Sequence, residues 1–140
     1  MNSSARPWRD AGVERAAEDP HLLALAGELE AQVRAAEALL DRAAAALDAA
    51  DARAGDHELV TEGRLAVAAA KAFGGEVALR VDTQIFDFSG SSAADRAHGL
   101  DRHWRNARTH TLHDPARAKH LHLGRHLVAG VAPSPADPLV

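Results

Sequence analysis

The sequence predicts an all-α protein, an antiparallel four-helix bundle. Three observations point there. From Leu22 to Leu47, apolar residues alternate four and three apart, the rhythm of a helix face rather than a strand. The chain holds three Phe, two Trp and no Tyr, too few large rings for a sandwich or barrel. Alanine supplies much of the 46% apolar content, which suits thin helix-on-helix packing. A length of 140 residues fits one domain.

Residues 1–18 are polar, contain Pro7 and Trp8, and read as an irregular arm. Trp8 would pin that arm by covering apolar surface. The bundle is expected over residues 19–130. Asp19 can cap the first helix, and Pro20 suits its first turn. Leu22, Ala26, Leu29, Val33, Ala36, Leu40, Ala43 and Leu47 then form a heptad seam facing a partner helix, and Gly55 ends the element. A second helix runs from about His57 to about Phe88, with Leu59, Ala66, Ala70, Phe73, Val77 and Val81 on one face. Gly74-Gly75 in its middle costs about 1 kcal/mol per glycine relative to alanine, and such a pair permits close approach of another helix or a cofactor. "SGSS", Ser89 to Ser92, breaks the pattern. A third helix is expected from Leu100 to about Leu112. A fourth opens at Asp114-Pro115, read as a cap followed by a first-turn proline, and ends at Gly130. Residues 131–140 hold three prolines in ten positions and read as an extended or disordered tail.

A net charge of −4 gives no push toward nucleic acid. The absence of cysteine excludes disulfides, zinc thiolates and thiol nucleophiles. No apolar run approaches the roughly 20 residues of a membrane span, and "MNSSARPWRD" lacks the apolar core of a signal peptide. The expected setting is cytoplasmic, without nucleic-acid or membrane partners.

Chemistry concentrates in "DRHWRNARTHTLHDP", Asp101 to Pro115. Seven of the nine histidines fall between His98 and His126, so imidazole clusters in the last third of the chain. On a helix, His110 and His113 share a face, and Arg102, Arg105 and Arg108 make a cationic stripe beside them. Guanidinium forks suit phosphate or carboxylate, and an imidazole beside them suits proton transfer near neutral pH. Two other readings stand beside this one. A charged helix face can be merely solvated, leaving a noncatalytic assembly module. His110, His113, His120, His122 and His126 would alternatively supply nitrogen ligands to a metal-binding bundle, although no third ligand falls at a standard offset and none is assigned to a metal.

"LDRHWRNARTHTLHDP" resembles the C-terminal signature of the flavin-dependent monooxygenase branch of the acyl-CoA dehydrogenase superfamily, the dibenzothiophene monooxygenase-like branch. "RPWRDAGVERAAEDP", "AAEALLDRAAAALDAA" and "AVAAAKAF" resemble that family's C-terminal bundle in order and spacing, so the likeness covers nearly the whole chain. The resemblance implies an oxidoreductase domain that supplies oligomer contacts and part of a flavin site, with FMN or FAD as cofactor. It implies a homo-oligomer, a tetramer in the family, assembled through the bundle. It points to His113 first and His110 second as catalytic, helping to manage the flavin C4a-hydroperoxide. Arg105 and Arg108 are the implied cofactor contacts on the same segment. "QIFDFSG" resembles the family's glycine-rich turn to a neighbouring subunit's flavin, with Asp87-Phe88 in place of its glycine pair; Gly90 and Ser91 are the implied phosphate contacts. Arg105-Asn106-Ala107 resembles the RDA-like element of the dehydrogenases, and their proton-abstracting glutamate would fall at Asp114. After Pro115 the chain departs from the family, with Ala118 in place of a common tryptophan. The family's N-terminal helical and middle β-domains, which build most of the flavin pocket, have no counterpart in these 140 residues. The expectation is a chain that alone binds flavin weakly and does not turn over: a truncated product, a fragment, or a partner completed by flavin domains on another polypeptide.

Overall fold

The structure, a computed structural model, describes Pro7 and residues 9–134; Trp8 and its expected pinning role lie outside the described residues, as do residues 135–140 of the tail. Four α-helices make the architecture: α1 (Pro20–Ala52), α2 (His57–Ser89), α3 (Asp101–His113) and α4 (Ala116–Ala129). Among the described residues there is no strand. The arm carries more order than its composition suggests. It forms 3-10 turns at Arg9–Ala11 and Ala16–Glu18, and Ala16 is buried.

α1 starts where a cap and a proline dictate. The buried Asp19 carboxylate accepts from the His21 backbone N–H at 2.9 Å, and Pro20 takes the first turn, where its missing N–H is not needed. The helix ends at Ala52; Gly55, with φ of 98°, forms the turn three residues later. Asp56, which the sequence reading passed over, caps α2 by accepting from the Glu58 and Leu59 N–H groups at 3.1 and 3.2 Å. The short connection forces α1 and α2 to run antiparallel.

α2 is the central element. α1 packs along it, α3 and α4 pack against it, and α1 makes little contact with either of them. α2 is therefore buried along two strips. Leu59, Ala66, Ala70, Phe73, Val77 and Val81 form the expected one, with Ala66 and Val77 buried and Leu59 half-buried. Leu65, Ala68 and Ala72 form a second at the same helical spacing, continued by Gly75. The seam of α1 is only half covered: Leu29 and Ala43 are buried, whereas Leu40 is 63% and Leu47 is 47% exposed.

The start of α4 corrects the sequence reading. Pro115 is its N-cap and no side chain caps the end. The Asp114 carboxylate pairs instead with Lys119 at 3.0 Å and stands 4.0 Å from Lys71. A buried ammonium competes for a carboxylate better than an amide N–H does, because an unpaired buried charge is far costlier than an uncapped turn. α4 closes as expected at Gly130, whose φ of 67° needs a residue without a side chain and whose N–H donates to the His126 carbonyl at 2.9 Å. Residues 131–134 are irregular but docked: Pro133 is buried, and its carbonyl accepts from the Arg64 guanidinium at 3.4 Å.

Candidate functional site

α3 is a helix made almost wholly of polar residues. Asp101 in its first turn complements the helix dipole and pairs with Arg105 one turn on at 3.3 Å, and His110 and His113 stand in its last turn. None of its residues is buried. Its seat on α2 therefore depends on a few specific contacts. A β-carbon added at Gly75 would stand 2.9 Å from Thr111 Cγ2, so glycine there lets the two helices meet. Thr111 is in turn fixed by donating its hydroxyl to the Arg108 carbonyl at 3.0 Å.

The remaining contacts are charged. Lys71 Nζ on α2 hydrogen-bonds to His110 Nε2 on α3. Asp114, the residue after α3, reaches Lys71 through one carboxylate oxygen and Lys119 of α4 through the other. The side chain of Lys119 is 3% exposed and that of Lys71 is 18% exposed. One carboxylate thus gathers two ammonium groups, and through Lys71 the group extends to an imidazole on the neighbouring helix. Neither lysine was singled out from the sequence. A signal was present: the chain contains only two lysines, and both meet Asp114.

His110 lines a groove of 510 Å³ between α1, α2 and α3. Its walls include Leu40, Leu47, Val67, Ala70 and Gly74, and its polar lining is Lys71, His110 and Thr111. A β-carbon at Gly74 would meet nothing within 4 Å, so that glycine leaves open space in the wall. The groove continues along α1 and α2 past Val33 and Ala36 to a larger hollow of 620 Å³, lined by Leu29, Ile85, Phe88 and His98.

The structure separates the expected site residues into two groups. His110 lines the groove and His113, one turn further, stands at the end of α3; both are exposed. Arg105 and Arg108 are exposed on the same helix. Gly90 and Ser91 are exposed at the far end of α2, where Gly90, at φ of 73°, is the C-cap and Ser91 opens a 3-10 turn. Lys71 marks the level of His110, so at 1.5 Å per residue His110 stands about 28 Å from Gly90 along α2. The histidines of α4 do not converge with them. His122 is buried, and His120, two residues earlier, faces outward 3.6 Å from Glu76. Among the described residues no group of three or more His, Asp or Glu is arranged to hold a metal ion. No helix among them is long and apolar enough to cross a membrane.

Comparison with known proteins adds an independent line. Residues 4–117 match the family described as acyl-CoA dehydrogenase, C-terminal domain. A dibenzothiophene monooxygenase of Mycolicibacterium goodii is 38% identical over 135 residues, covering 95% of this chain and 32% of that protein. The "Probable FMNH2-dependent monooxygenase SfnC" of Pseudomonas putida is 35% identical over 136 residues, covering 94% of this chain and 34% of that protein. Among solved structures, methanesulfinate monooxygenase MsuC from Pseudomonas fluorescens superposes with a TM-score of 0.91 at 34% identity, over 96% of this chain and 35% of that one. FMN-bound TdsC from Paenibacillus sp. A11-2 superposes with a TM-score of 0.89 at 36% identity, over 96% of this chain and 34% of that one. The 140 residues span about a third of the length of these relatives.

Proposed function

The chain belongs to the acyl-CoA dehydrogenase C-terminal domain family, and from that premise we propose that it is the helical part of an FMN-dependent monooxygenase. α3 forms one wall of the oxygenation site. The remaining walls come from the family's N-terminal and middle domains, on the same polypeptide or another. The observation that carries this reading is the placement of His110. A helix that buries none of its residues nevertheless sets one exposed imidazole at the wall of an apolar groove, in contact with a largely buried lysine.

The residues present fit a flavin on physical grounds. An apolar wall left open at Gly74 has room for a planar ring, and Lys71 and His110 offer polar contacts at that wall. Reduced FMN, when bound, supplies the electrons that activate dioxygen. The chain's own part is to hold and deliver a proton from His113 and His110, and to exclude water with the walls of Val67 and Ala70. Arg105 and Arg108 offer guanidinium forks to an anionic group. Gly90 and Ser91, too distant to share that site, serve the phosphate of a flavin held by a neighbouring subunit. Self-association through the half-covered seam of α1 brings the two together.

A chimera tests the proposal. The corresponding third of the Mycolicibacterium goodii dibenzothiophene monooxygenase is replaced by this chain, and FMN-dependent sulfur oxygenation is measured. The chimera is expected to bind FMN and turn over. His113→Ala and His110→Ala are expected to lower kcat by about 100-fold or more while FMN affinity holds, the range a lost general acid or base gives. A folded, FMN-binding chimera whose histidine variants keep full kcat overturns the catalytic assignment.

A further inference from the structure

We propose that Lys71 is the positioning residue for His110, holding its imidazole as the neutral tautomer protonated on Nδ1, with Asp114 and Lys119 holding Lys71 in turn. This rests on His110 belonging to the site proposed above.

The argument begins with donor and acceptor chemistry. An ammonium group has three donors and no acceptor, so the ring nitrogen that faces it must accept. That nitrogen is Nε2. A neutral imidazole has one N–H, which then falls on Nδ1. Free imidazole side chains in water favour the other tautomer, so the contact selects the minor form. The selection is firm only if Lys71 cannot swing away. Its side chain is largely buried, and it lies 4.0 Å from Asp114 Oδ2, whose other oxygen is 3.0 Å from the almost fully buried Lys119. Behind Lys71 thus stand one carboxylate and a second ammonium, from the α3–α4 junction and α4, while His110 itself is reached by Lys71.

The choice of lysine is informative. Arginine outnumbers it fourteen to two in this chain, yet both lysines sit in this cluster. A compact ammonium can point one N–H at a ring nitrogen and another at a carboxylate in a confined space; a planar guanidinium fork cannot match that geometry. The position at which the family's dehydrogenases carry a base is occupied here by a carboxylate tied to two cations, an anchor rather than a base. His110 then presents a fixed Nδ1–H donor, with its Nε2 engaged by Lys71.

The test reads the ring nitrogens directly. Long-range proton–nitrogen NMR spectra of the labelled 140-residue chain are recorded where imidazoles are neutral, with the His110 signals identified by their loss in His110→Gln. The expected pattern is a protonated Nδ1 and an unprotonated Nε2. Lys71→Met, which keeps the length of the side chain but not the donor, is expected to shift most of His110 to the Nε2–H form with helicity unchanged, and Lys71→Arg to recover little. A wild-type His110 protonated on Nε2, or the same tautomer ratio in Lys71→Met, overturns the proposal. If Lys71→Met does not fold, the wild-type pattern and Asp114→Asn, expected to weaken the Nδ1–H preference, decide the matter. Loss of the tautomer signature with His110 still required for turnover defeats this inference alone. A costless His110→Ala in the chimera defeats the site assignment while the tautomer stands.

Discussion

At Gly75 the approach of one helix to another depends on a single hydrogen atom. Alanine there would place its methyl 2.9 Å from Thr111 Cγ2, on a β-branched side chain whose hydroxyl is already committed to the Arg108 carbonyl. Gly75→Ala is expected to destabilise the chain by about 1–3 kcal/mol despite its better helix propensity. Gly74→Ala, with nothing within 4 Å, should stabilise it by up to about 1 kcal/mol. Urea unfolding of both, with Thr111→Ser restoring the Gly75→Ala variant, checks the contrast. The glycine pair was visible in the sequence as a place of close approach; which glycine served which neighbour was not, because that depends on the rotation of α2 against α3. The two Asp-Pro pairs teach a similar lesson. At Asp19-Pro20 the sequence reading matches the structure, since the carboxylate caps. At Asp114-Pro115 the same dipeptide does something else, because a buried lysine five residues on takes the carboxylate. Local pattern names the options for a side chain, and long-range burial chooses among them.

Among the helices, α3 is held differently from the rest. It contributes no buried residue, and its seat is a glycine notch, a lysine–histidine hydrogen bond and an ion pair at its end. Segments with few buried contacts open at low free energy. Amide hydrogen exchange is therefore expected to be faster in α3 than in the middle of α1 and α2, with protection in α3 falling further in Lys71→Met. Equal protection across the four helices would mean that α3 is part of the main cooperative unit. Periodicity and caps were enough to give the four helices and most ends to within a few residues. α1 ends three residues before the glycine taken as its stop, because the turn itself uses those residues. The second buried strip of α2 escaped notice, since Leu65, Ala68 and Ala72 lie in a run so rich in alanine that two faces look alike.

Taken whole, the four helices form an open layer rather than a closed cylinder, with α2 in the middle and an apolar trough along α1. An unsatisfied apolar trough of this kind marks an interface. On the proposed self-association, Leu40→Lys is expected to shift the chain toward monomer in sedimentation velocity while leaving its helicity intact, because Leu40 is 63% exposed within the single chain. An unchanged sedimenting mass would place the interface elsewhere. Residue patterns showed that the seam wants a partner; they did not show that α2 covers only half of it. The residues that one chain does bury carry a last consequence. Among the described residues, six of the nine buried apolar ones are alanine, so unfolding a monomer uncovers little hydrocarbon. Its heat-capacity increment should fall below the usual 12–15 cal/mol/K per residue, as scanning calorimetry of Leu40→Lys would register. Stability should then vary gently with temperature, leaving the fold slow to weaken in the cold.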